Sequence, residues 1–276
     1  MAGSMVGVHT LWERYAGGRR AAGDELADLL VGQGWVADWA GVRVLDLGCG
    51  DGGVGEALVR RRASVTGVDL SAERRRAAAG RGLVVVGADA HRLPFRCDSF
   101  DVVVAYDLLE HVRRPADVLR EVAAVLRPGG LVYVTVPNRL SVVNLLADPH
   151  YNVPAVGVLP RAVGAWCVTR LLRLAPSYTV ERYFTWWGAT RLFRRAGFGW
   201  QELPGGWART LAAGATPTAP ARRWMARVAG RGPLRAVVRR AGRTRLFLRL
   251  IAPSWRFLLF RIPAGSGALG AGPRGA

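Results

Sequence analysis

The chain has 276 residues, half of them hydrophobic, and a formal net charge of +19. That apolar share suffices for a sizeable core and excludes global disorder, and the length suits one α/β unit with insertions better than two independent domains. No apolar run approaches the roughly 18 residues that a spanning helix needs, so no membrane span is expected.

In chain order, residues 10–33 repeat apolar positions at helical spacing through Leu11, Tyr15, Leu26, Leu29 and Leu30, which predicts one or two lead-in helices. Short apolar runs then predict strands over 42–47, 64–69, 83–86, 101–105 and 131–136, with helices near 54–62, 72–80, 108–111 and 115–126. Repeated strand–helix alternation implies a mostly parallel sheet with helices on both faces, the Rossmann-like α/β class. After Pro137 the rhythm breaks. Residues 138–185 read as a helical insertion containing Asp148-Pro149-His150-Tyr151-Asn152. A helix over 190–196 ends at Gly197, and a sixth strand follows near 200–203. Two short basic amphipathic helices are expected within 218–243, broken at Gly230 and at Gly232-Pro233. A seventh strand is expected over 254–262, and the Gly, Ala, Pro and Ser tail from Ala264 is expected to be disordered. The expected organisation is therefore a lead-in over 1–40, a cofactor-binding core over 41–137, substrate-side insertions with the last two strands over 138–263, and a tail over 264–276.

The most informative segment runs Leu45-Asp46-Leu47-Gly48-Cys49-Gly50-Asp51-Gly52-Gly53. It sets G-x-G-x-x-G at Gly48, Gly50 and Gly53 directly after a strand and before a helix. Glycines there permit a tight turn and close backbone approach to a ligand at the carboxyl edge of the sheet. Asp69 ends the next strand, 19 residues after Gly50, where a carboxylate can take two ribose hydroxyls. These features alone also suit a dinucleotide enzyme. Asp46 separates the two readings, because a carboxylate at the mouth of the sheet repels a pyrophosphate and suits a cationic amino group. Its bland alternative is a cap on the following turn.

From Val42 to Pro137 the chain resembles the S-adenosylmethionine-dependent small-molecule methyltransferases related to the ubiquinone and menaquinone biosynthesis enzymes. Besides the glycine loop, the resemblance rests on Gly67-Val68-Asp69-Leu70-Ser71, on Gly87 to Phe95, on Phe100 to Val112 and on Leu126 to Asn138, in the right order and spacing. It implies a seven-strand sheet with an antiparallel last strand and S-adenosylmethionine as co-substrate. It assigns the ribose to Asp69 and the adenine amino group to Asp89, with Leu70 and Ala90 flanking the ring. The loop residues Gly48, Cys49 and Gly50 and the backbone around Tyr106 then face the methionyl part. A surface turn is the alternative role for Asp89.

A sulfonium is an excellent leaving group, so catalysis consists chiefly of aligning the acceptor, with a base to help where the acceptor is a hydroxyl. Two histidines are candidates for that base: His111, which ends Leu109-Glu110-His111, and His150 in the insertion. A structural role is the alternative for each, and His91 is expected at the rim of the cofactor pocket. Asp107, Glu110 and His111 match an arrangement that some ubiquinone O-methyltransferases use to hold a divalent cation. Asp107 shortens the first side chain, and no metal is expected.

Charge is unevenly spread. Residues 1–150 carry 18 Arg against 18 Asp and Glu, whereas residues 151–276 carry 21 Arg against only Glu181 and Glu202, together with seven of the ten Trp. All basic residues are Arg, a pattern that a GC-rich genome produces without functional demand, yet this does not explain the missing acids. Such a surface suits an anionic membrane, a nucleic acid or an acidic substrate. The expected acceptor is a small or lipid-like molecule, methylated at oxygen, with peripheral contact to an anionic membrane. A nucleic-acid-directed enzyme and a non-catalytic cofactor-binding subunit are the alternatives. No base-amine methyltransferase motif follows the fourth strand, where Tyr106-Asp107-Leu108-Leu109 stands instead. Three cysteines without metal spacing and an N-terminus without a signal-like pattern predict a reduced, cytoplasmic setting, at most peripheral to the inner membrane face.

Overall fold

The computed structural model describes residues 3–146, 148–203 and 252–262. Seven strands form one sheet: β1 (Arg43–Leu47), β2 (Ser64–Val68), β3 (Val84–Val86), β4 (Phe100–Ala105), β5 (Leu126–Pro137), β6 (Phe198–Leu203) and β7 (Ser254–Arg261). Their order is β3-β2-β1-β4-β5-β7-β6, and only β7 runs antiparallel to its neighbours. The expected architecture is thus present, including the reversed last strand.

The central strands read as near-continuous apolar runs because both faces of the sheet are covered. Along β4, Val103 and Ala105 join one core with Val118, Leu119, Val122 and Phe193. Val102 and Val104 join the other, with Leu26, Leu30, Trp39 and Leu58. The first core lies under α4 (Pro115–Val125) and α7 (Trp186–Arg195), the second under α1 (Gly3–Gly32) and α2 (Gly53–Val59); α3 (Ala72–Ala79) links β2 to β3. α1 approaches α2 closely at Gly23, where a Cβ would lie 2.6 Å from the Val54 carbonyl oxygen. Arg60 and Arg61, just past the end of α2, pair with Asp24, and Arg61 also pairs with Asp28.

The lead-in is one continuous helix, the first of the two arrangements expected for it. Several other expectations need correction. No helix forms over 108–111: Asp107 adopts a left-handed φ of 49°, and the chain turns there before α4 starts at Pro115. The insertion 138–185 is less helical than its apolar content suggests. Among its described residues it holds only α5 (Val142–Leu146), a 3-10 turn (Val156–Val158) and α6 (Arg161–Trp166), which runs into a short π-helical segment (Cys167–Leu171). α7 begins four residues before the expected 190, because Thr185 caps it by accepting from the Gly188 amide at 3.1 Å. The basic helices expected within 218–243 and the tail from Ala264 lie outside the described residues. Among the described residues, no helix is long and apolar enough to cross a membrane.

Candidate active site

Pairing of β1 with β2 on one side and β4 on the other makes the β1–β4 boundary the point where the chain's progression reverses. In open α/β sheets the ligand crevice lies at the carboxyl ends of such strands. Two loops meet there, the glycine loop after β1 and the turn after β4. A Cβ on Gly48 would stand 2.8 Å from Leu108 Cδ1, so the two are in contact.

The glycine loop owes its shape to backbone conformations that L side chains resist. Gly48, Gly50 and Gly52 have φ of 73°, 56° and 84°. The amides of Gly48 and Cys49 both donate to the Val68 carbonyl, at 2.8 and 3.0 Å. Asp69, at the tip of β2, accepts from the Gly50 amide at 3.0 Å through Oδ2 and from the Ser71 amide at 2.8 Å through Oδ1. It therefore braces the loop as well as ending the strand. Arg75 donates from Nη1 to the carbonyls of Asp69 and Leu70, both at 2.9 Å, and fixes that turn from outside.

Asp46 is buried beneath the loop and accepts from the Gly55 amide in the first turn of α2 at 3.1 Å. Gly55 makes this possible, since a Cβ there would sit 2.6 Å from Leu83 Cδ2 and 3.0 Å from the Asp46 carboxylate. The capping contact and a ligand-facing role are compatible, because the bond uses one oxygen. Burial raises the Asp46 pKa to about 7, with the opposing pull of Arg19 and the Gly55 bond incomplete, and Asp51 and Asp69 adding to the rise. Arg19 comes from α1, and its Nη1 lies 3.0 Å from where a Gly50 Cβ would be. A buried carboxylate and a guanidinium thus bracket the loop. Nothing in the sequence pattern singles out Arg19, which only the docking of α1 brings here.

The remaining cofactor-side candidates surround the same edge. Asp89 Oδ1 accepts from the His91 amide at 2.9 Å and lies 2.7 Å from His91 Nδ1. These bonds hold its carboxyl below the ordinary range. Leu70 is 74 % exposed, while Ala90 is half-buried against the core. Cys49 is buried, and burial together with Asp46 and Asp69 pushes its thiol pKa far up, which favours the thiol over the nucleophilic thiolate. Tyr106 is half-buried against the second core, its hydroxyl pKa raised by burial.

The two candidate catalytic histidines, far apart in sequence, are brought together. Their rings lie 5.0 Å apart and nearly perpendicular. Asp148 positions His150 by accepting from the amides of His150 and Tyr151 at 2.9 and 2.8 Å, and it also takes the Tyr183 hydroxyl. His111 Nδ1 lies 2.9 Å from the Thr179 carbonyl, which only accepts, so Nδ1 carries the proton and Nε2 keeps its lone pair in the neutral ring. Glu110 between them is fully buried, and neither carboxylate oxygen has a hydrogen-bond partner among the described residues. His150 Nε2 lies 3.8 Å from its Oε1. Burial raises the Glu110 pKa. Burial disfavours the His150 imidazolium too, but Glu110, Asp148 and Asp107 outweigh it and hold the pKa above the ordinary value.

The carboxylate–carboxylate–histidine set read from the sequence is arranged differently in space. Asp107 turns to β5, where its Oδ1 accepts from the Thr135 hydroxyl at 2.6 Å and its amide donates to the same oxygen at 2.7 Å. His150 takes its place beside Glu110 and His111, with one potential ligand atom of each within 4.8 Å of the others.

The sheet order, the switch-point crevice and the glycine loop define a Rossmann-like domain built for a nucleoside-bearing ligand. Residues 45–134 match the methyltransferase domain family. The ubiquinone biosynthesis O-methyltransferase of Aeromonas salmonicida is 38 % identical over 117 residues, covering 38 % of this chain and 49 % of that protein. The enzyme of the same name from Cupriavidus pinatubonensis is 32 % identical over 185 residues, covering 62 % and 67 %. An S-adenosylmethionine-dependent methyltransferase structure from Mesorhizobium loti shares the fold with a TM-score of 0.52 and 20 % identity, covering 85 % of this chain and 98 % of that one. The chain belongs to the S-adenosylmethionine-dependent methyltransferase family. It spans about half the length of several curated relatives it matches, 49 %, 58 % and 50 % in three of them.

Proposed function

We propose that this chain transfers a methyl group from S-adenosylmethionine to an oxygen of a small or lipid-like acceptor, with residues 41–137, joined by Arg19 of α1, holding the co-substrate and 138–263 the acceptor. The observation that carries the reading is the opposite-charge bracket of Asp46 and Arg19 at the glycine loop, beside the paired rings of His111 and His150. S-adenosylmethionine ends in an amino acid with one ammonium and one carboxylate, and supplies a methyl group on a sulfonium. Asp46 suits the ammonium, directly or through water, and Arg19 suits the carboxylate. A pyrophosphate would leave Asp46 facing like charge. Asp69 accepts from the ribose hydroxyls and Asp89 from the adenine amine, between Leu70 and Ala90. The backbone of Gly48, Cys49, Gly50 and Tyr106 lines the methionyl part.

On the acceptor side, His150 or His111 in neutral form takes the hydroxyl proton while the oxygen bonds to the methyl carbon. The S–CH₃ electron pair stays on sulfur, leaving a neutral thioether. Glu110 and Asp148 favour the protonated His150 and so assist proton capture. An oxygen acceptor is supported by the names of the relatives, which are ubiquinone biosynthesis O-methyltransferases.

Peripheral contact with an anionic membrane is part of the proposal. Between Asp148 and Glu181 the sequence has no acid but carries Arg161, Arg170 and Arg173. Trp166, Leu171 and Leu174 stand 55 %, 59 % and 56 % exposed in the same stretch. Aromatic and apolar side chains at headgroup depth with arginines above suit such a surface. The test of the whole reading is label transfer from methyl-labelled S-adenosylmethionine to an isoprenoid-tailed phenol and to RNA. Label in the phenol alone supports the proposal, and label in RNA alone overturns the acceptor class.

A further inference from the structure

A cavity of about 260 Å³ is lined largely by residues of the insertion. Tyr178 and Tyr183 connect it to the neighbourhood of the histidine pair. Both line the cavity, yet the Tyr183 ring lies 5.8 Å from the His150 ring and the Tyr178 ring stacks on Tyr151 at 5.0 Å. Arg139, Arg161 and Arg182 line it as well, against one acid, Glu181.

The arginines are anchored without being used up. Arg139 Nη2 donates to the Val158 carbonyl at 3.1 Å, Arg161 Nη2 to Glu181 at 3.0 Å and Arg182 Nη2 to the Arg113 carbonyl at 2.6 Å. A guanidinium carries five N–H donors, so each has others to offer. The backbone beneath is fixed: the Arg139 amide donates to the Phe184 carbonyl at 2.9 Å, and the amides of Glu181 and Arg182 donate to the Glu110 carbonyl at 2.8 and 3.1 Å. Glu181 is neutralised by Arg161 and, at 3.9 Å, by Arg113. What remains is a pocket with excess positive charge, planar donors and two tyrosine rings.

We infer that this cavity binds a phosphate group carried on a small aromatic or apolar body, and that the methyl acceptor, or a lipid presenting it, bears that group. Three guanidiniums against one carboxylate leave charge for a dianion, and their forked donors match phosphate oxygens. The link to the acceptor rests on the proposed methyl transfer, whereas the anion site stands on its own geometry.

Calorimetry on the full chain with phenyl phosphate, benzoate and phenol, alongside S-adenosylhomocysteine, tests it. Phenyl phosphate is expected to bind at least tenfold more tightly than benzoate or phenol. The double variant Arg139→Gln/Arg182→Gln is expected to lose tenfold or more of that affinity while keeping wild-type binding of S-adenosylhomocysteine, which also shows that it folds. Phenyl phosphate binding no better than benzoate, or unchanged in the double variant, overturns the inference. Loss of S-adenosylhomocysteine binding by the wild type alone breaks the methyl-transfer reading and leaves the anion site standing. Vesicles of phosphatidylcholine with and without phosphatidic acid distinguish the source. Phosphatidic-acid binding that falls in the double variant identifies a lipid phosphate, and binding that does not change identifies a soluble one, provided phenyl phosphate binding falls in both cases.

Discussion

The stretch 41–137 and the insertion 138–185 are built by different means. The first is a strand–loop–helix repeat in which each functional residue sits within a few positions of a strand end, and its polar contacts are largely to nearby backbone, as Asp69 makes to Ser71 and Asp89 to His91. The second has little regular structure and is held by side chains reaching across sequence: Asp148 to Tyr183, Tyr151 to Thr179, His111 to Thr179 and Glu110 to His150. Local geometry therefore fixes the co-substrate side, while tertiary contacts fix the acceptor side. Substitutions in the two regions should separate cofactor binding from turnover.

The largest effect is expected at His150. His150→Ala should lower turnover by about 10²–10⁴ with cofactor affinity intact, measured by initial rates at saturating acceptor and by calorimetry. A loss below tenfold reduces His150 to a positioning role and moves the base to His111. On the other side, Asp69→Ala should lose bonds worth about 1.5–3 kcal/mol each, roughly ten- to a hundredfold in S-adenosylhomocysteine affinity per bond. Because Asp69 also braces the Gly50 amide, part of that loss reports loop disorder. Wild-type affinity in this variant removes the ribose assignment.

This contrast also explains what could be read from the sequence. The glycine loop, the acid at the end of β2 and all seven strands were legible because their signals are local, turn residues beside alternating or continuous apolar runs, whereas Asp89 was singled out only through the family resemblance. The histidines were legible only as separate candidates, since 39 residues separate them and nothing local predicts that Asp148 and Thr179 aim them at each other. Arg19 was invisible, as an arginine on a long helix normally faces water. The turn at 108–111 misled because Leu108 and Leu109 look helical, whereas the chain there serves to bury Glu110. Gly55 escaped notice because it lies past the glycine fingerprint, and only the approach of Leu83 and Asp46 reveals why it must be glycine.

A smaller effect comes from pH. Asp46 has a pKa of about 7 in place of 3.8, so its neutral form dominates below 7. A cationic amino group favours the carboxylate, and binding then releases a proton. Affinity for S-adenosylhomocysteine should therefore rise about tenfold from pH 6 to pH 8, and Asp46→Asn should flatten the profile. A flat wild-type profile contradicts the ammonium assignment. The same raised pKa means that the unliganded fold loses stability as pH climbs from about 4 to 7, because the unfolded chain's Asp46 ionises there while the buried carboxyl stays protonated, and above 7 the loss stops.

The smallest effect is at the surface. Charge reversal at Arg170 or Arg173 should weaken binding to anionic vesicles by about 1 kcal/mol each, and salt should release the protein as the Debye length shortens below about 10 Å. Equal sedimentation with neutral and anionic vesicles contradicts the electrostatic part of that proposal.

One titration tests the co-substrate side most directly, since the bracket of Asp46 and Arg19 either accepts a zwitterionic methionyl group or does not. Calorimetry of the full chain with S-adenosylhomocysteine and with NAD should give saturable binding of the first and none of the second, and the binding should weaken in Arg19→Ala. Saturable NAD binding without any response to S-adenosylhomocysteine would contradict the account at its root.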